Sequence, residues 1–338
     1  MEEAAEAINL NCGVMRSMPG LHEAQLRHAT YYETVMRSLN EMYLDGGVAL
    51  SLGLALFDLE WQSIQLGWSR ARSLSAGDES AARLCSSYPR VGAALLNMRM
   101  PPRERIEWLE MGLGCARSLK DRRAEGRHLS DLGMVYAALG ETGRAAEIFE
   151  QRCFIAQEIG DRRGEATALG NLGNICILTG EAHGAVDYYK QALHIYRETG
   201  PRRGEADALG NLGVAYRDLG HINEAIRSHE EALVAYRELS YRRGEGQTLH
   251  NLGIVYRKTG QDQRASELFA ESLLIFRELN DHRGEALALW NISKVLNTQG
   301  HTAQSSAAAT QALHIFRQLE DPNAARVEKM IEKLREQA

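Results

Sequence analysis

Residues 161–200 read DRRGEATALGNLGNICILTGEAHGAVDYYKQALHIYRETG, and residues 201–240 read PRRGEADALGNLGVAYRDLGHINEAIRSHEEALVAYRELS. Set one under the other, they align without a gap at a spacing of 40 residues. The same frame takes 121–160, 241–280 and 281–320, and more loosely 81–120, which ends RERIEWLEMGLGCARSLK. A fixed period of this length means one supersecondary unit stacked on copies of itself. Each unit reads as two helices. Leu169, Leu172, Gly173 and Cys176 fall at i, i+3, i+4 and i+7, which is one helical face. Gly180 then supplies a turn, as do Gly140, Gly220, Gly260 and Gly300. Ala185, Tyr189, Ala192, Leu193 and Tyr196 stripe the second helix. Asp121, Asp161 and Asp281 are predicted to cap the first helix. Pro201 and Tyr241 stand at that place in the other two copies and offer no such cap.

The shared pattern is L-x-x-L-G-x-x-Y, a glycine, then A-x-x-x-Y-x-x-A. In the third copy its members are Leu209, Leu212, Gly213, Tyr216, Gly220, Ala225, His229 and Ala232. In the fourth they are Leu249, Leu252, Gly253, Tyr256, Gly260, Ala265, Phe269 and Ser272. The small residues let paired helices approach, and the aromatic residues fill the space between them. This resembles the tetratricopeptide repeat. His229 departs from the family's aromatic, and no proline ends the second helix. The unit is also longer than the usual repeat of about 34 residues. It looks like the extended kind found in Pins-type spindle-orientation scaffolds and in bacterial signalling NTPases of the STAND class. The likeness covers 121–320 strongly and 81–120 weakly. It implies an all-α fold, a right-handed solenoid of helix pairs, with the first helices lining a concave inner surface.

Composition narrows the function. Lys plus Arg is 39 against 45 Asp plus Glu, a formal charge of −6, which argues against nucleic-acid binding by bulk charge. Six prolines in 338 residues leave room for long helices. Five scattered cysteines, Cys12 among them, form no C-x-x-C and no disulfide framework, which fits a reducing compartment. The Met-Glu-Glu start is no signal peptide, and the longest apolar run, Val48 to Phe57, is too short to span a bilayer. The chain is expected to be soluble and cytoplasmic, with no membrane partner.

The ends extend the frame. Residues 1–80 are expected as an N-terminal helical region, 81–320 as the solenoid, and 321–338 as a capping helix. Ala29, Tyr32, Val35, Met36, Leu39 and Tyr43 form one stripe; Phe57, Trp61, Ile64, Trp68 and Ala71 form another. The text HATYYETVMRSLNE followed by FDLEWQSIQLGWSRARSL resembles the helical stretch that joins a STAND NTPase core to its repeats. Two plain capping helices are the other reading. Val327, Met330, Ile331 and Leu334 share one face of the last helix, whose polar outer side suits the end of an open stack.

No G-x-x-x-x-G-K-[ST], H-E-x-x-H, G-x-S-x-G or G-x-G-x-x-G occurs. His22, Glu23 and His28 have the wrong spacing for a helical zinc pair. Gly170-Asn171-Leu172-Gly173 lies inside a helix and is no phosphate loop. No catalytic residue, metal site or cofactor is expected, and the chain is read as a binding protein rather than an enzyme.

One register of the first helix holds Asp131, Asn171, Asn211, Asn251 and Asn291. Asparagine is a poor mid-helix residue, and its amide offers one acceptor and two donors. It can therefore pair with both the N–H and the C=O of an extended peptide. Packed helices lie ~8–10 Å apart, so successive first helices present this register at roughly 10 Å. Extended chain advances ~3.3 Å per residue, which gives one rung per about three residues. In the resembling Pins-type scaffolds this position contacts the backbone of bound peptides. Bonding between neighbouring helices is the alternative. Asn174, Arg217, His250, Ile254, Arg257, Lys258, Trp290, Lys294 and Asn297 flank the row. The last two copies are basic and carry one tryptophan, which points to an acidic part of the ligand at that end. Trp290 is either an aromatic anchor or packing against the capping helix.

A second row comprises Arg123, Arg163, Arg203, Arg243 and Arg283, each two residues before Glu125, Glu165, Glu205, Glu245 or Glu285. Residues i and i+2 do not meet on a helix, so these pairs are expected between adjacent repeats. The alternative is an arginine row that reads acidic ligand side chains. The function expected is a non-catalytic, peptide-binding sensor region of a STAND-type protein, with an NTPase or effector domain in cis or in trans. A stand-alone adaptor of the Pins kind is the alternative.

Overall fold

The computed structural model describes residues 20–45 and 47–336. Cys12, Pro19 and the Met-Glu-Glu start lie outside the described residues. Every element among those described is a helix. The chain divides into two compact units, Met1–Ile155 and Ala156–Ala338.

The first unit holds α1 (Leu21–Asp45), α2 (Gly47–Leu74), α3 (Glu79–Val91), α4 (Ala93–Arg99), α5 (Pro102–Ser118), α6 (Arg122–Ala138) and the greater part of α7 (Thr142–Glu158). Its core gathers Ala29, Met36 and Leu39 of α1 with Phe57, Ile64 and Trp68 of α2, as the two stripes predict. Trp68 and Trp108 stack with ring centroids 4.4 Å apart. Residues 81–120 depart from the two-helix plan and form three pieces. Gly92 ends α3, and a Cβ there would lie 1.8 Å from Met36 Cε, so any other residue would displace the Met36 side chain of α1. Asn40 Oδ1 then accepts from the backbone N–H of Ala94 and Leu95 at 3.0 and 3.2 Å, capping α4 from a neighbouring helix. Pro102, at the first position of α5, fixes the restart.

The second unit continues with α8 (Arg162–Thr179), α9 (Ala182–Thr199), α10 (Arg202–Asp218), α11 (Ile222–Glu238), α12 (Arg242–Lys258), α13 (Asp262–Glu278), α14 (His282–Thr298), α15 (Thr302–Gln318) and α16 (Asn323–Glu336). Each helix packs on the next, and the first helices α8, α10, α12 and α14 also touch in succession. This is the stacked-pair architecture of a tetratricopeptide-type α-solenoid. The side chains of Asp161 and Asp281 accept from the N–H of Gly164 and Gly284 at 2.9 Å, while Pro201 and Tyr241 make no cap. Gly180 closes α8 with φ +83°.

In three pairs of the second unit the helices meet glycine to ring, while the α14–α15 pair has Ser293 and Ala309 at these positions. A Cβ on Gly173, Gly213 or Gly253 would lie 2.5–2.7 Å from the ring of Tyr189, His229 or Phe269. The pair in the first unit, Gly133 against Phe149, repeats this at 2.5 Å. The missing side chain is what lets a buried ring seat against the opposite backbone.

Candidate functional site

The first helices carry the site because their buried faces are spent on leucine and glycine, leaving the asparagine register at the border of the core. In the second unit a cleft of about 610 Å³ brings together Asn171 of α8, Asn211 of α10 and Asn251 of α12, with Asn174 and Arg217 beside them. Asn171 and Asn251 make no side-chain hydrogen bond to any described residue. Asn211 Nδ2 donates to Asn174 Oδ1 at 3.5 Å, and Tyr189 Oη donates to the same oxygen at 2.7 Å. Arg217 is half-buried and donates through Nε to Asp218 Oδ1 at 2.9 Å.

Asn291 is not part of that group. It is 5% exposed, and its Nδ2 lies 3.3 Å from His250 Nε2 and donates to Leu287 O at 3.1 Å. The cause sits one repeat back. His250 stands where the two preceding repeats have Gly170 and Gly210, each facing open space within the cleft. With Gly210 there the amide of Asn251 stays free; with His250 there the amide of Asn291 is covered. Burial, reinforced by the charges of Lys294 and Arg217, pushes the imidazole down to about 4.

Asp131 belongs to the first unit. It borders a cavity of about 230 Å³ with Arg105 and Asn97. Burial pushes its carboxyl up to about 6, against the pull of Arg105, Arg127 and Arg90.

The remaining candidates gather at the α12–α14 end. Lys294 Nζ lies 3.5 Å from the centroid of the Trp290 ring and 3.4 Å from Asn291 Oδ1. Burial first, then the charges of Arg257 and Arg326, push its ammonium down to about 8. Trp290 also meets Phe316 edge-on at 6.2 Å, beside the core that includes Val327 and Ile331. Ile254 and Arg257 are half-buried; Lys258 and Asn297 are exposed.

Part of the cleft's lining went unread in the sequence. Tyr189, Tyr196, Tyr236 and Tyr241 line it together with Asp207, Arg243 and Gln247. Tyr236 Oη donates to Asp207 Oδ1 at 2.6 Å. Tyr189, Tyr196 and Tyr236 occupy positions whose period marks them as core, and Tyr241 stands at the cap position. The available signal was Gly204 and Gly244, which take the rings of Tyr196 and Tyr236 at 2.5–2.6 Å from where a Cβ would stand.

The arginine–glutamate pairing needs a correction. Glu205 is held not by Arg203 but by Arg202, three residues before it, and by Arg197 from the preceding helix, at 2.8 and 3.0 Å. Glu125 has Arg122 and Arg117, and Glu245 has Arg242 and Arg237, in the same way. Spacing i, i+3 shares a face, whereas i, i+2 does not. Burial alone would raise the Glu245 carboxyl; the hydrogen bonds from Arg237 and Arg242 outweigh it and hold the group below its ordinary value. The arginines of the expected row reach forward instead. Arg203 covers the Tyr241 ring at 4.3 Å, and Arg283 Nε donates to Asp321 Oδ2 at 2.8 Å.

Among the described residues no group of three His, Cys, Asp or Glu is placed to hold a metal ion. No helix among them is long and apolar enough to cross a membrane.

A family model described as tetratricopeptide repeat matches residues 164–238 and 244–318. Among curated proteins none matches the chain in sequence. Several solved structures share the fold. Aspartyl phosphate phosphatase F from Bacillus subtilis is 12% identical, with a TM-score of 0.59, over 95% of this chain and 96% of that one. A STAND protein with a tetratricopeptide repeat sensor, from Pyrococcus horikoshii, is 15% identical with a TM-score of 0.58. That match covers 94% of this chain and 54% of the other. A Rap protein complexed with competence and sporulation factor is 12% identical, with a TM-score of 0.56, over 94% of this chain and 98% of that one. At these identities the likeness is one of fold. The family match and the packing of successive helix pairs agree over residues 164–238 and 244–318.

Proposed function

We propose that the second unit is a non-catalytic binding module which holds an extended peptide segment of another protein along its asparagine row. The observation that carries this reading is the cleft in which Asn171, Asn211 and Asn251 stand on three successive first helices, two of them with amides unengaged by the protein. A half-buried carboxamide with no internal partner has donors and an acceptor to give to a ligand. An extended backbone is the partner that takes both, independent of its side chains. Three rungs at roughly 10 Å address a segment of about six to nine residues. Tyr196 and Tyr241, half-buried in the cleft's lining, supply rigid, amphipathic surface of the sort that concentrates binding energy.

Within that reading the chain serves as the ligand-sensing region of a STAND-type signalling protein, with its NTPase or effector in cis or in trans. The likeness to the Pyrococcus protein over 94% of this chain supports this, because it takes in the helices before the repeats. The Rap structure, which carries a bound factor on a similar fold, supports ligand binding by such an array.

The test is selection of 12-residue peptides from a random display library on the full chain, followed by affinity measurement on Asn211→Ala/Asn251→Ala. Two rungs of two hydrogen bonds each represent about 2–6 kcal/mol, at 0.5–1.5 per bond. The selected peptides should therefore bind the double variant at least roughly thirtyfold more weakly, with its circular dichroism unchanged. Equal affinity would assign the asparagines to scaffolding.

A further inference from the structure

We propose that the outward face of α2 is a self-association surface, on which two copies of this chain pair α2 against α2, antiparallel, about a two-fold axis.

α2 is apolar on two faces. Phe57, Ile64 and Trp68 belong to the core of the first unit. On the other side Val48, Leu52, Ala55, Leu59, Gln62 and Leu66 follow one another at alternating steps of four and three, and all six are exposed. Val48 is 87% exposed, Leu52 50%, Leu59 75% and Leu66 46%. At about 100° per residue, Leu59 and Leu66 stand roughly 160° round the helix from Phe57 and Ile64. A surface helix ordinarily carries its charges on the outer side. The charged residues of α2 are Asp58, Glu60, Arg70 and Arg72, and none of them falls on this line. Leu52, Leu59 and Leu66 add nothing to the core of the first unit, yet they recur every seven residues. A contiguous apolar face of this kind marks an interaction surface.

Steps of four and three make the seam of a coiled coil, where side chains of one helix enter holes in another. How the seam fits itself decides the occupant. Two copies laid parallel set like on like: Ala55 faces Ala55 and leaves a gap, and Gln62 faces Gln62. Laid antiparallel, they alternate large with small. Leu66 of one protomer then faces Val48 of its partner, Leu59 faces Ala55, and Leu52 faces the stem of Gln62. Large against small is how facing helices fill the space between them. A patch complementary to itself is what a two-fold interface requires.

Charge makes the same choice. Asp45, the last residue of α1, lies at the start of α2, and Arg70 lies near the end of α2. Neither meets an opposite charge among the described residues. Antiparallel pairing brings Asp45 of each protomer to the Arg70 end of its partner. Parallel pairing would set Asp45 beside Asp45 and Arg70 beside Arg70.

Sedimentation equilibrium of the full chain, from low to high micromolar concentration, tests the pairing. The mass should climb from 37.6 kDa toward twice that value. Leu59→Glu changes an exposed position and should leave the circular dichroism unchanged. It should weaken the dimer roughly a hundredfold or more, because both copies lose an apolar contact and gain a buried charge. Leu66→Gln repeats the measurement should that variant not fold. Arg70→Asp should weaken the dimer roughly tenfold, as like charges replace two attractions, and Asp45→Arg/Arg70→Asp should restore it. A mass of 37.6 kDa at every concentration would leave the face to another protein or to residues 1–19, and overturns self-pairing. So does an undiminished dimer in both leucine variants. A double charge variant no tighter than Arg70→Asp overturns the antiparallel arrangement. None of these outcomes bears on the asparagine row, which stands or falls on the library peptides and Asn211→Ala/Asn251→Ala.

Discussion

His229 occupies the slot filled by Phe149, Tyr189 and Phe269 in three other pairs, against Gly213. It is 0% exposed, and neither ring nitrogen has a partner. Burial first, then the charge of Arg217, pushes the imidazole down to about 4. An unfolded histidine titrates near 6.5. Below that pH the unfolded chain takes up the proton and the folded chain does not, so stability falls as pH drops from about 6.5 toward 4 and levels off beneath it. The full effect is on the order of 3 kcal/mol for a group shifted this far. His229→Phe should remove this share and raise the melting temperature at pH 5 more than at pH 7.5. Thermal melts between pH 7.5 and 4 check it, and parallel profiles for the two proteins would contradict it. His128 and His250, which burial also pushes to about 4, add slopes of the same sign, and Asp131, pushed up to about 6, adds one of the opposite sign.

Each second helix hands the chain to the next repeat through one left-handed residue. Gly160 and Gly200 serve at two of these junctions, with φ +68° and +89°. Lys120, Ser240, Asn280 and Glu320 serve at the others, with φ between 51° and 55°. A residue with a Cβ pays roughly 1–2 kcal/mol in that conformation, less for asparagine, whose short amide tolerates it. Ser240→Gly should therefore stabilise the protein by about 1 kcal/mol, raising the melting temperature by roughly 2–4 °C. Asn280→Gly should do less. Equal gains in both, or a loss at Ser240, would show that the side chains and not the backbone set the cost. The N-terminal ends of the first helices divide likewise: Asp161 and Asp281 cap theirs, while Pro201 supplies only a favourable φ.

On the scale of the whole second unit, an array of helix pairs has an open end that must be closed. α16 is expected to do this: it buries Val327, Ile331 and Leu334, the first two in one core with Ala309, Ala312 and Phe316 of α15. Asp321, held by Arg283, marks where the next repeat would begin. Ile331→Asp places a charge in that core, 5% exposed in the native chain. It should cost about 3 kcal/mol or more and bare Phe316, so that light scattering on a sizing column records a larger mass than for the unaltered chain. An unchanged mass with an unchanged melting temperature would mean that α16 closes nothing.

The sequence alone determined the period, the pairing of two helices per unit, the aspartate caps and the glycine turns. Each of these depends on neighbours within a turn or two along the chain, and periodicity records such neighbours directly. Only the tertiary structure decided what the shared positions do. Asn251 and Asn291 are the same residue at the same register, yet one is open and the other covered, because Gly210 faces the first and His250 the second. Arg203 and Glu205 stand two residues apart, yet Glu205 is bound by Arg197 of another helix. Residues 81–120 follow the frame in outline and break at Gly92, where Met36 of α1 needs the space. In each case the deciding neighbour lies far along the chain, and packing, which places it, leaves no mark in a period of 40.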